Sequence, residues 1–299
     1  YMPIFEEALD AYGLPLELRY LPIIESALNP SAVSRAGASG LWQFMIGTGK
    51  IYGLESNSLV DERRDPIKAT WAAARYLKEM YDIYGDWNLV IAAYNCGPGT
   101  INKAIRRANG ETDYWKIYNY LPKETRGYVP AFIAANYVMT YYCDHNICPM
   151  ETNIPASTDT VQVNKNLHFE QIADLCNVPL DQIKSLNPQY KKQMIPGDSK
   201  PYTLRLPIDA ISTFIDKQDT IYAHRADELF RNRKTVAVKE ITPSTRKTTT
   251  AVAGKGKLTY YTIKSGDTLS TIAGKYGVTI KDIQRWNGMS NTKIAAGKR

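Results

Sequence analysis

Residues 21–44 read LPIIESALNPSAVSRAGASGLWQF, and the setting of one acid in that string decides how the rest of the chain is read. Glu25 stands against Ile23, Ile24 and Ala27. A glycine-rich turn, Gly37-Ala38-Ser39-Gly40, and an aromatic string, Leu41-Trp42-Gln43-Phe44-Met45, follow it. A carboxyl among apolar groups loses hydration of its charged form, which raises its pKa and keeps it protonated near neutrality, as a general acid requires. The plain alternative is a glutamate on the exposed face of an amphipathic helix, and the string alone does not choose. Glycines let the backbone turn sharply or approach a ligand closely, and the aromatic string offers stacking faces and one amide. Pro22 is expected to kink the helix or restart it just before Glu25, and Asn29-Pro30 to end it.

Outward from that string the pattern stays helical. Pro3 and Pro15 begin apolar-periodic segments, where a missing N–H removes nothing. Asp65-Pro66 opens Ile67–Tyr84, with Ala69, Ala72, Ala73, Tyr76, Leu77 and Met80 on one face. Asn88–Tyr94 is a short apolar helix whose end carries a phenol and an amide, Tyr94-Asn95, before the stop Cys96-Gly97-Pro98-Gly99. Thr125–Tyr142 is again periodic. Nothing alternates like a strand for long, so residues 1–150 are expected to form an all-α domain. The charged string Asp61-Glu62-Arg63-Arg64-Asp65-Pro66 reads as a surface turn leading into a helix.

After Pro149 the texture changes. Residues 161–199 align with 261–299 without a gap: Ile172-Ala173 with Ile272-Ala273, Val178 with Val278, Ile183 with Ile283, Asn187 with Asn287, Gly197 with Gly297. Each copy reads as a short strand, two short helices and a closing strand, a small α+β unit. The copies are assigned to 156–208 and 259–299. The first continues through Tyr202–Leu206 where the second stops, so the second is expected to be truncated. Between them, 209–258 is expected to be a linker region. Its part from Pro243 to Lys257 is Thr, Lys, Ala and Gly with hardly a core residue, and the part from Asp209 to Ile241 stays unassigned, although TIYAHRADELF suits a helix.

A chain of 299 residues suits two or three domains. Charge divides unevenly: residues 1–150 hold 14 Lys+Arg against 16 Asp+Glu, net −2, and residues 151–299 hold 23 against 14, net +9. A basic second half suits an acidic polymer such as a cell wall, and without a compact Arg-rich patch no nucleic-acid partner is expected. Tyrosine leads the aromatics, 21 against 6 Phe and 5 Trp, and its flat face with a hydroxyl edge suits carbohydrate among other surfaces. Four cysteines make no disulfide framework in a chain this long, and whether Cys143 pairs with Cys148 stays open. No Cys/His cluster has zinc spacing, so no metal and no cofactor is expected. No apolar run is long enough to span a bilayer. The chain starts at Tyr1, and a signal peptide or anchor upstream is left open.

The strings LPIIESALNPSAVSRAGASGLWQFM, DERRDPIKATWAAARYL, GDWNLVIAAYNCGPG and LPKETRGYVPAF, in this order and covering about Leu14 to Ala135, resemble the goose-lysozyme-like domain of the soluble lytic transglycosylases. The resemblance implies a peptidoglycan lytic transglycosylase that cleaves the β-1,4 bond between N-acetylmuramic acid and N-acetylglucosamine. It implies Glu25 as the catalytic acid/base, with Ser26, Gln43, Phe44, Met45, Tyr94, Asn95 and Tyr128 as substrate-binding candidates. One departure is Cys96-Gly97-Pro98-Gly99, where relatives more often carry Ala-Gly-Glu-Gly. Residues 260–290, YYTIKSGDTLSTIAGKYGVTIKDIQRWNGMS, resemble a LysM module, which implies glycan binding through Gly266, Asp267, Thr268, Leu269, Trp286 and Asn287. The first copy has Asn166-Leu167-His168-Phe169 in place of Gly266-Asp267-Thr268-Leu269, so its apolar frame is expected to fold while its sugar binding stays open.

The resemblance also implies a mechanism with one carboxyl. Ordinary glycosidases use two, and here Asp61, Glu62 and Asp65 are the nearest others downstream. Glu25 would protonate the leaving oxygen while the substrate's N-acetyl carbonyl supports the oxocarbenium-like centre. The resulting carboxylate would then take the proton of the muramic acid 6-hydroxyl, which closes a 1,6-anhydro ring, an intramolecular step favoured over attack by water. The expected partners are peptidoglycan strands and the expected place is the periplasm of the cell envelope. An outer-membrane lipoprotein anchor would have to come from a segment outside this sequence, and the oligomeric state stays open. A hydrolytic muramidase and a non-catalytic wall-binding protein are the alternatives.

Overall fold

Prolines and aspartates mark where the helices of the first half begin. The computed structural model describes residues 1–148, 155, 157–230, 261–263, 267–276, 278, 280–287, 289 and 294. It runs from α1 (Met2–Ala11) through a 3-10 turn (Leu16–Tyr20) into α2 (Leu21–Ser26), then α3 (Ile46–Ile51), α4 (Pro66–Tyr84) and α5 (Trp87–Cys96). Next come α6 (Pro98–Arg107), α7 (Tyr114–Ile117) and α8 (Lys123–Thr140). Pro3, Pro22, Pro66 and Pro98 fall in the first turns of α1, α2, α4 and α6, where no backbone hydrogen bond is lost. Asp65 caps α4 by accepting from the Ile67 and Lys68 amides at 2.9 and 3.0 Å, and Asp86 caps α5 at the Leu89 amide, 2.8 Å. Each such cap contributes ~1 kcal/mol.

Two local irregularities shape the surroundings of Glu25. The helix restarts at Leu21 and ends at Ser26, because Ala27 and Leu28 take left-handed φ values of 51° and 60°. For residues with a Cβ, that conformation costs about 1–2 kcal/mol each, and it turns the chain away directly after the acid. Pro130 lies inside α8 and cannot donate to the carbonyl of residue 126. The buried Tyr114 hydroxyl donates to that carbonyl instead, at 3.0 Å.

The helices enclose one core that includes Phe5, Leu9, Leu21, Trp42, Ala73, Leu77, Leu89 and Val129. Trp42 is fully buried, meets Phe5 edge-on at 5.3 Å and donates Nε1–H to Thr70 Oγ1 at 2.9 Å. The charged string at 61–65 departs from expectation: Asp61, Glu62 and Arg63 are buried. Pairing is the physical reason, since a buried charge is tolerated when its partners are satisfied. Arg63 holds Asp61 through two 2.8 Å bonds, Glu62 accepts from the Glu55 amide at 2.8 Å and pairs with Lys68, and Asp65 caps α4.

The second core is built mainly from residues 157–230, with Leu59 and Val60 entering it from the first half. Strand β1 (Thr158–Val163) pairs antiparallel with β4 (Tyr202–Pro207), and β2 (Asn166–His168) with β3 (Met194–Pro196); α9 (Phe169–Cys176) and α10 (Leu180–Leu186) lie between. The expected opening and closing strands are thus each present in two pieces. Asn187, matched in the repeat, explains itself here. Its amide donates to Arg205 O and its carbonyl accepts from Arg205 N, both at 2.8 Å, which clasps the last strand. Gly197 presses on the Lys165 backbone, where a Cβ would come within 2.2 Å of the carbonyl oxygen.

The stretch expected to begin the linker is helical: α11 (Ile208–Asp216), α12 (Gln218–Ala223) and α13 (Ala226–Leu229) follow β4 directly. Ala210, Phe214 and Ile221 enter the second core, so 209–230 is built into this domain and not a linker. The remainder of the expected linker, 231–258, lies outside the described residues. By its packing the chain divides at Pro243/Ser244. In the later unit, α14 (Leu269–Tyr276) and α15 (Ile280–Trp286) are described, with Leu269, Ile272 and Ala273 buried.

Candidate active site

Glu25 occupies the last turn of α2 and is partly buried. From the second turn of α8, Tyr128, only 9% exposed, donates its hydroxyl to Glu25 Oε1. That leaves Oε2 as the oxygen that can carry an acidic proton. Burial is the main influence on the carboxyl and pushes its pKa up to about 7 from 4.5. The Tyr128 hydrogen bond works the other way because it favours the carboxylate, and the nearby Glu124 charge adds to the rise. At neutral pH a substantial share of Glu25 is therefore protonated, the state a proton donor needs.

The loop beside the acid is fixed by hydrogen bonds to its own backbone. Ser26, expected to touch substrate, directs its hydroxyl to the carbonyls of Pro22 (3.0 Å) and Leu41 (2.9 Å) and so joins α2 to that loop. Tyr94 from α5 donates to Trp42 O at 2.7 Å. Burial and then the Glu25 charge hold its hydroxyl well above the usual tyrosine range. Gln43 adopts φ 47° and turns its amide nitrogen onto Gly40 O at 2.8 Å, leaving its side-chain oxygen as the group available to a ligand. Asn95 accepts from Thr125 Oγ1 at 2.9 Å.

The aromatic string corrects the sequence reading. Phe44 is 3% exposed and packs among Tyr52, Tyr76 and Tyr94, so neither it nor buried Trp42 offers a face to a sugar. Met45 is exposed. The glycine turn is equally structural. Gly40 has φ 89°, and a Cβ there would sit 1.8 Å from Arg63 O, so the close approach is to the protein's own backbone.

One residue near the acid escaped the sequence reading, Glu124, and so did Thr125, which holds Asn95. Glu124 and Tyr128 are four apart on α8 and share a face, which is the signal that could have found the second carboxyl. The four cysteines are free, with Cys143 and Cys148 both exposed.

In the later unit, Trp286 is 62% exposed and Asn287 is exposed at the end of α15. The Asn287 amide donates to Ile283 O at 2.9 Å, as Asn187 does to Ile183 O in the first copy. Thr268 Oγ1 accepts from the Thr271 amide at 3.2 Å, and Asp267 accepts from the Tyr261 hydroxyl at 2.8 Å. Leu269 is buried, which assigns it to the core and not to a glycan surface. Gly266 lies outside the described residues. In the first copy Leu167 and Phe169 are buried and His168 caps α9, so that turn is also committed to packing.

Residues 2–117, which include Glu25, Gln43, Tyr94 and Asn95, match the family described as transglycosylase SLT domain. The first part of the chain is thus similar to transglycosylase SLT domains. Beyond the SLT domain, residues 157–223 match the LysM-like domain of lytic transglycosylase MltD, and residues 261–299 match the LysM domain. The chain is 33% identical to membrane-bound lytic murein transglycosylase D of Escherichia coli (strain K12) over 96% of its own length and 59% of that protein's. It therefore spans about three fifths of that relative. The soluble lytic murein transglycosylase of the same strain is 33% identical over 40% of this chain and 19% of its own. The crystal structure of the 70 kDa soluble lytic transglycosylase from Escherichia coli covers 48% of this chain and 24% of its own, at 29% identity and a TM-score of 0.42. Tyr128 lies past the matched SLT segment, on α8, and is tied to it through Glu25.

Proposed function

We propose that this chain is a peptidoglycan lytic transglycosylase of the cell envelope, with Glu25 as its acid and then its base. The observation that carries the reading is the Glu25 carboxyl, held partly buried with a pKa near 7 and one oxygen occupied by Tyr128. A pKa near the working pH suits a group that must give a proton in one step and take one in the next. Protonated Glu25 Oε2 donates to the glycosidic oxygen. The carboxylate left behind takes the proton of the muramic acid 6-hydroxyl as that oxygen closes on C1. Asp61, Glu62 and Asp65 are engaged by Arg63, Lys68 and the start of α4, so none of them is free to serve as a second catalytic carboxylate. Trp286 in the LysM domain supplies an open aromatic face for a sugar ring. Glycan held there would raise the local concentration of substrate.

One observation favours a second reading. Glu124 is exposed, and its charge reaches Glu25. As a general base on water it would make the enzyme hydrolytic, in the manner of two-carboxylate glycosidases.

The pH dependence of cleavage tests the role of Glu25. Release of soluble fragments from purified peptidoglycan is expected to fall above about pH 7 as Glu25 loses its proton. Tyr128→Phe removes a hydrogen bond that favours the carboxylate, so the alkaline limb should move to higher pH. A bond to a charged group is worth ~1.5–3 kcal/mol, and 1.36 kcal/mol is one pKa unit, so a shift of about one to two units is expected. An alkaline limb that stays in place in Tyr128→Phe contradicts the assignment, and no release at any pH supports a binding protein.

A further inference from the structure

The LysM-like domain and the loop beside Glu25 are joined through a buried arginine. Residues 55–62 form a tight turn, closed by Asn57 N to Val60 O at 2.8 Å and Glu62 N to Glu55 O at 2.8 Å. Although they belong to the SLT segment, Leu59 and Val60 are buried in the second core, with Val163, Tyr190 and Tyr202. The backbone continues the attachment: Asp61 N donates to Gln189 O and Lys191 N donates to Leu59 O, both at 2.9 Å, and Val60 bridges Tyr190. Tyr202 from β4 donates its hydroxyl to Glu55 Oε1 at 2.9 Å, and Lys191 Nζ reaches Asn57 O.

From this turn, the Asp61 carboxylate grips Arg63 through both of its oxygens. The third side of the guanidinium faces the active-site loop. Nη1 donates to Gly37 O and to Phe44 O, each at 2.8 Å, which ties together the two ends of the loop. Arg63 O lies directly under Gly40, and Arg64 Nε donates to Ser39 Oγ at 3.2 Å. The loop so held is the one that receives the Ser26 and Tyr94 hydroxyls next to Glu25. A planar guanidinium can serve a carboxylate and two carbonyls at fixed angles, whereas an ammonium cannot.

We infer that Arg63 is a positioning residue for Glu25, and that the LysM-like domain acts as a structural half of the catalytic unit by fixing the 55–62 turn on which Arg63 depends. Leu167, which stands where the second copy has Asp267, is buried, in accord with that role. The inference rests on the reading of Glu25 as the acid for its effect on rate, but the mechanical link can be tested without substrate.

Two full-length variants test it, Arg63→Lys in the catalytic half and Tyr202→Phe in the LysM-like domain. Amide hydrogen exchange of residues 37–45 should quicken about tenfold in Arg63→Lys and about threefold in Tyr202→Phe, with the centre of α4 unchanged, since local opening is set by local hydrogen bonds. On soluble glycan strands Arg63→Lys should lower kcat by about tenfold or more and leave KM within about twofold, because misplacement by an ångström costs rate more than binding. Unchanged loop exchange in both variants overturns the link. Quickened exchange with an unchanged kcat overturns the positioning role of Arg63. If the unaltered chain fails to cut glycan, the proposed activity is wrong, while the exchange comparison still decides the link. Tyr202→Phe removes a single hydroxyl and keeps the comparison available if Arg63→Lys does not fold.

Discussion

Glu25→Gln should reduce cleavage of purified peptidoglycan by about a thousandfold or more and leave attachment to the wall intact. General acid–base catalysis contributes about 10²–10⁴ to a rate, and here one group is asked to serve in both steps. The amide keeps the size and shape of the acid and can still accept from the Tyr128 hydroxyl, but it has no proton to give. Wall attachment should persist because the open face of Trp286 lies in the LysM domain, a separate unit of the chain. Co-sedimentation with sacculi measures attachment and release of soluble fragments measures cleavage. Cleavage by the variant at even a tenth of the original rate would remove Glu25 from the mechanism.

Gly40→Ala should be the most damaging small substitution in the active-site loop. The added Cβ would lie 1.8 Å from Arg63 O, and backbone has to move to relieve that clash. Gly37→Ala offers the control, since Gly37 has the same sign of φ, 87°, but nothing within 4 Å of its added Cβ. Left-handed φ alone costs about 1–2 kcal/mol, so Gly37→Ala should lower stability by that amount. Gly40→Ala should exceed about 4 kcal/mol, the range reached only when a named structural mechanism fails. At about 2–4 °C per kcal/mol for a domain of 150–250 residues, the melting temperature of the unit that contains Glu25 should drop by about 10 °C. Equal melting temperatures for the two variants would mean that Gly40 is required for its φ and not for the approach to Arg63.

The contrast between these two glycines shows how far the sequence could be read. The strings around Glu25 and Tyr94-Asn95 carried the resemblance to the SLT domain that residues 2–117 match, because residue type and order carry that information. The proline starts and the periodic face of α4 located the helices, and the repeat at Ile172, Ile183 and Asn187 located the LysM-like fold. Burial of charge was not legible. Asp61-Glu62-Arg63 looks the same whether it is solvated or folded inward, and its burial depends on Gly37, Phe44 and Gln189, which are distant in sequence. Trp42 and Phe44 present the same difficulty, since a core aromatic and a sugar platform are spelled with the same letters. Two of the three helices of residues 208–230 are only 6 and 4 residues long, too short to show a helical period. The hydrogen bond from Tyr128 to Glu25 spans 103 positions, and no local pattern announces it.

In the proposed mechanism Glu25 first gives a proton and then takes one from the substrate's own hydroxyl, with no water consumed. Mass spectrometry of the fragments released from purified peptidoglycan tests it most directly. Muropeptides ending in 1,6-anhydromuramic acid are expected, each lighter by one water than its hydrolysed counterpart. Fragments with reducing muramic acid ends would contradict it and would turn attention to Glu124 as the base that activates water.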